Sequence, residues 1–134
     1  MTIPLGMLLQ QLDHAITAAF DHALADRSTT RVEWQMLNVL DGAPDGMPWS
    51  AIEDRMPPGP DADAMATSWQ ALEVGGWVEE VGGLRRLTAA GEEAREALAG
   101  DVQRIREQAT EGVTDEDYET TMEVLELMLE NLSD

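Results

Sequence analysis

Residues 69–91 constrain the fold more than any other stretch, because Trp69-Gln-Ala-Leu-Glu-Val-Gly-Gly-Trp77-Val-Glu-Glu-Val-Gly-Gly-Leu-Arg-Arg-Leu-Thr88-Ala-Ala-Gly91 changes its local code four times. Gly75 and Gly76 can take the positive φ that ends a helix. Trp77 to Val81 then has strand propensity, and Gly82-Gly83 fits a two-residue hairpin turn. Leu84 to Leu87 returns antiparallel, and Thr88 can cap a following helix through its hydroxyl. Helix, hairpin, helix is the heart of a winged helix. The expected fold class is therefore mainly α with a short β-hairpin.

The flanking segments extend this reading. Leu5, Leu9, Leu12, Ile16, Ala19 and Ala23 step by four and three along one helix face, a heptad seam that requires another helix against it. Thr30-Arg-Val-Glu33 reads as a capping box that opens a second helix with Trp34, Leu37 and Leu40 inward. Trp49 to Met56 is a short helix. Pro57-Pro58-Gly59-Pro60 is a stiff connection, and Asp61 can cap a helix that buries Met65, Trp69 and Leu72. These two helices form a helix-turn-helix, of which the second is the recognition helix. Glu92 to Ala109 turns Ala94, Leu98, Val102, Ile105 and Ala109 inward, with Gly100 as a weak point. Thr114 to Asp117 caps a last helix, in which Tyr118, Met122, Leu125, Leu129 and Leu132 repeat the heptad step.

The pattern Leu72-Glu-x-x-Gly76-Trp77-Val78 with Leu87-Thr88-x-x-Gly91, preceded by Thr30-Arg-Val-Glu-Trp34-Gln-Met-Leu37, resembles the multiple-antibiotic-resistance-regulator (MarR) family of winged-helix proteins. The resemblance covers nearly the whole chain. It implies a single domain over residues 1–134, with a winged helix-turn-helix lobe over about 30–91 and dimerisation helices at 4–25 and 92–134. It also implies a homodimeric regulator of transcription that binds double-stranded DNA, with one recognition helix in each half-site. Members often bind small aromatic effectors between the dimerisation helices and the DNA-binding lobe. Trp34 and Trp49 would line such a cleft, or serve as core residues.

The charge departs from that family. The chain has 27 Asp and Glu against 8 Arg and no Lys, for a net charge of −19, whereas neutralising phosphates supplies most of the affinity for DNA. The recognition helix carries no basic residue, and Asp61 and Asp63 stand at its N-terminus. On its outward face Thr67 and Gln70 can read bases. Family members usually carry a longer, basic wing with an Asp-Arg motif; this hairpin turns at once and offers Arg85 and Arg86. These two either reach phosphate or pair with Glu79 and Glu80 across the hairpin. Binding resting on Thr67, Gln70, Arg85 and Arg86 is expected to be weak and steeply salt-dependent. The alternative is an acidic winged helix that has lost DNA binding and acts on a basic protein partner, or on a small aromatic ligand.

Other function classes find no support. There is no Cys, no Lys base, no G-x-S-x-G elbow and no phosphate loop, so no enzyme and no cofactor are expected. His14 and His22 lie two turns apart on one helix, about 12 Å, too far to share a metal ion. Asp115-Glu-Asp117 lacks the pattern of a calcium loop. No apolar run approaches the ~20 residues of a membrane span, and no signal segment is evident. The expected location is the cytoplasm, with no membrane partner.

Overall fold

A computed structural model describes residues 3–133. Its elements, in chain order, are α1 (Leu5–Asp26), α2 (Arg31–Asp41), α3 (Trp49–Arg55), α4 (Ala62–Val74), β1 (Val78–Val81), β2 (Leu84–Leu87), α5 (Ala89–Ala109) and α6 (Asp115–Leu132). The caps decide most boundaries. The hydroxyls of Thr30, Thr88 and Thr114 accept from the backbone N–H groups of Glu33, Gly91 and Asp117, and the Asp61 carboxylate accepts from Ala64 N–H. Each satisfies a donor that the first turn of a helix leaves without an intrahelical partner.

α4 ends in a Schellman motif: Trp77 N–H donates to Leu72 C=O and Gly76 N–H to Glu73 C=O, both at 3.0 Å. Only Gly76 takes the positive φ, at 79°. Gly75 keeps right-handed helical geometry at φ −73°, so one of the two glycines does the stopping. β1 and β2 pair antiparallel from Val78 with Leu87 to Val81 with Leu84. Gly82 and Gly83 turn between them at φ 61° and 81°, the two positive values of a type I′ turn. Met47 adds a further bridge, exchanging both backbone hydrogen bonds with Arg85.

The core gathers where α1, α2, α4, β1 and α5 meet. Met36, Leu37, Leu40, Ile52 and Leu98 are fully buried, and Leu24, Met65, Trp69, Leu72 and Val78 nearly so. The inward positions expected on α2 and α4 are thus occupied as their spacing dictates, with Trp34 half-buried at the margin. α5 runs unbroken through Gly100, although a weak point was expected there. A single helical glycine costs about 1 kcal/mol, less than burial of Leu98 and Val102 on either side returns. Ala109, expected inward, is exposed.

The seams of α1 and α6 behave differently from the core. Leu5, Leu12, Tyr118, Met122 and Leu129 are all exposed, and α6 contains no buried residue. The helices form as their periodicity requires. Ile16, Ala19 and Ala23 of α1 are half-buried where α1 packs on α5, whereas the N-terminal part of the α1 seam and most of the α6 seam are uncovered among the described residues.

Candidate nucleic-acid interface

The winged-helix lobe presents α4 outward beside the hairpin. Burial of Met65, Trp69 and Leu72 fixes the rotation of this helix, which leaves Asp63, Thr67 and Gln70 exposed on the opposite side. Thr67 and Gln70 are therefore available to a partner, whereas Asp61 is exposed but committed to its capping bond with Ala64 N–H at 2.8 Å.

The hairpin arginines sit in a different environment. Arg86 Nε donates to Glu79 Oε1 at 2.8 Å, and Arg85 Nε to Glu80 Oε2 at 3.1 Å. These residues are direct cross-strand neighbours, so the period-2 geometry of the sheet puts each pair on one face. Arg85 is held further. Its guanidinium lies 4.3 Å from the ring centre of Trp49 and 4.7 Å from that of Trp69, and the two indoles pack edge to face at 6.0 Å. Both hairpin guanidiniums are thus paired within the chain, and Arg85 also joins the hairpin to α3 and α4.

This arrangement separates the two arginines in energy. Arg85→Ala is expected to destabilise the fold by about 1 to 2 kcal/mol through lost cation–π packing in a half-buried setting. Arg86→Ala, which breaks a half-exposed pair with no aromatic ring beside it, is expected to cost at most about 1 kcal/mol. Urea denaturation of the two variants checks the order.

Beside Arg85, a hollow of about 270 Å³ opens between α3 and α4. Trp49, Glu53, Ala62, Ala66, Trp69 and Gln70 line it with Arg85. Sequence spacing brought Thr67 and Gln70 to one helix face, but it gave no sign that Glu53 lies beside them. Trp49 belongs to this hollow and Trp34 does not, since Trp34 packs from α2 against the core. The structure thus does not bring these two tryptophans together there.

A second hollow of about 500 Å³ lies away from the winged-helix lobe, with Ile16, Phe20, Ile105, Arg106, Val113 and Tyr118 among its walls. No tryptophan lines it. Among the described residues, no group of three or more His, Asp or Glu is placed to hold a metal ion. Among the described residues, no helix is long and apolar enough to cross a membrane.

No family model matches the sequence, and no curated protein matches it. Solved structures do share the fold. The PcaV transcriptional regulator of Streptomyces coelicolor superposes with a TM-score of 0.78 at 19% identity, over 96% of this chain and 97% of that one. The reduced form of MarR from Escherichia coli gives a TM-score of 0.72 at 21% identity, over 96% of both chains. The Mycobacterium tuberculosis MarR-family protein Rv2887, solved in complex with DNA, gives 0.73 at 22% identity, over 95% of this chain and 98% of that one. The chain has the winged-helix fold of MarR-family regulators across nearly its whole length.

Proposed function

We propose that this chain is a homodimeric transcriptional regulator of the MarR type that presents α4 to duplex DNA and binds it weakly. The observation that carries the reading is the exposed outer face of α4, with Thr67 and Gln70 accessible beside a hairpin, in a fold shared with a protein solved in complex with DNA. Gln suits adenine and Thr suits a thymine methyl or a hydroxyl contact.

The dimer follows from exposed apolar surface. Leu5, Met7, Leu8 and Leu12 on α1, with Met122, Leu127, Leu129 and Leu132 on α6, are all uncovered. Exposed apolar side chains in this number mark an interface. Self-complementary packing about a two-fold axis would cover it and set two α4 helices at a fixed spacing for a palindrome.

Affinity is limited by charge. For Arg85 and Arg86 to reach phosphate they must leave Glu80 and Glu79. A dimer that freed all four would show a log–log salt slope of only about −3.6. Mobility shift of genomic fragments at low salt tests the reading: a subset should be retarded, and retardation of none would count against it. The double variant Glu79→Gln with Glu80→Gln releases Arg86, leaves Arg85 held only by its two indoles, and removes two negative charges. It should tighten binding by on the order of tenfold.

A second reading is favoured by a separate observation: within residues 30–91, Arg55 is the only guanidinium without a carboxylate partner among the described residues. Such a face suits a basic protein better than a phosphate backbone. The readings diverge on whether duplex DNA is bound at all.

A further inference from the structure

We propose that Asp63 reads a base at the N-terminal end of α4 and makes this recognition helix select cytosine. The inference rests on the proposed presentation of α4 to duplex DNA and deepens it.

Helix phase places the reader. Burial of Met65, Trp69 and Leu72 fixes how α4 is turned, and Asp63, Thr67 and Gln70, at steps of four and three, lie in one exposed line opposite them. From Asp63 to Gln70 that line is about 10.5 Å long, the length of about three base pairs at ~3.4 Å each. The two acids at the start of the helix are not equivalent. The Asp61 carboxylate accepts from Ala64 N–H at 2.8 Å, whereas no cationic side chain pairs with Asp63 among the described residues. Asp63 also favours the helix dipole from the first turn, a role that leaves its oxygens open to a donor.

The base edges then decide which base suits it. An ionised carboxylate accepts hydrogen bonds and donates none. In the major groove guanine offers two acceptors and thymine one, adenine a donor beside the N7 acceptor, and cytosine the N4 amino donor alone. Asp63 is therefore matched by cytosine and opposed by guanine and thymine, so rejection contributes to selection as much as the bond does. α4 carries no Arg or Lys, and the commonest contact to guanine, a bidentate cation, is missing from this face. A carboxylate in the groove lowers affinity for every sequence and recovers part of it only where an amino group meets it.

The test is selection by mobility shift of randomised duplex with the full-length protein at about 50 mM salt, followed by anisotropy on the recovered sequence and its single-base variants. Each half-site is expected to hold a cytosine about three base pairs from an A·T pair, with cytosine preferred about tenfold over guanine or thymine at its position. Asp63→Ala should reduce that preference to within about twofold while the A·T preference persists, and Gln70→Ala should do the reverse. Asp63→Asn, whose amide both donates and accepts, should move the preferred base from cytosine to adenine. Circular dichroism shows whether the three variants, all at exposed positions, keep their helices.

A motif without such a cytosine, or with one that survives Asp63→Ala, would overturn the role of Asp63 and leave the regulator in place. So would an Asp63→Ala protein that binds all four bases more tightly by the same factor. Recovery of no sequence by the unmodified protein would overturn both the role and the reading beneath it.

Discussion

Gly91→Ala is expected to destabilise the protein by about 3 kcal/mol or to prevent folding. By helix propensity alone the change should help, since alanine is favoured over glycine by about 1 kcal/mol inside a helix. Packing decides otherwise. A Cβ on Gly91 would fall 1.9 Å from the Trp77 carbonyl oxygen and 2.8 Å from its carbon. The obstacle is backbone, and it is pinned: the same carbonyl accepts from Thr88 N–H at 3.0 Å, and the Thr88 hydroxyl donates to Gly76 C=O at 2.6 Å. α5 can therefore retreat only by breaking the junction between recognition helix and hairpin. Gly100→Ala is the matched control. It lies in the same helix, with nothing nearer a new Cβ than Arg104 at 3.9 Å, and should stabilise by about 0.5 to 1 kcal/mol. Thermal and urea denaturation should move in opposite directions for the two variants.

The double variant Leu12→Glu with Leu129→Glu is expected to convert a dimer to a folded monomer. In the single chain these side chains are 52% and 68% exposed, and substitution at such positions ordinarily changes stability by no more than about 0.5 kcal/mol. In a dimer that buries both faces, each glutamate would lie in an apolar interface without a partner, at a cost of several kcal/mol per ion. Light scattering reads the mass, and circular dichroism shows that the helices survive. A mass unchanged by the pair of charges would place the dimer contact elsewhere, or remove it.

Much of the fold was legible because local chemistry and tertiary packing agree. Gly82-Gly83 supplies two positive φ values where the hairpin needs them, and Met65, Trp69 and Leu72 carry the 3.6-residue period to the core. The readings that differed share a cause. Gly75 and Gly76 are equally able to end a helix, and only the bond from Trp77 N–H to Leu72 C=O selects Gly76. Gly100 looked like a weak point because propensity is local, while the burial that overrides it comes from neighbouring elements. Met47 forms a single bridge to Arg85, too short to leave any alternation in the sequence.

The candidate interface was less legible. Thr67 and Gln70 follow from helix phase, and the pairing of Arg85 and Arg86 with Glu80 and Glu79 was one of two open alternatives. The stacking of Arg85 on Trp49 and Trp69 was invisible, since those residues come from three separate elements. The seams of α1 and α6 were read correctly as apolar, but the described residues leave Leu5, Leu12, Met122 and Leu129 exposed.

The most direct test of DNA binding by this cation-poor winged helix is fluorescence anisotropy against labelled, randomised duplex, titrated upward from about 50 mM salt. The expected result is saturable binding at low salt that weakens linearly in log salt, with a slope of about −3.6 if the four hairpin arginines of a dimer carry it, and of about −5.4 if both Arg55 side chains join them. Absence of binding at the lowest salt, from a protein that light scattering shows to be an intact dimer, would contradict the proposed regulator and leave the acidic face to a protein partner.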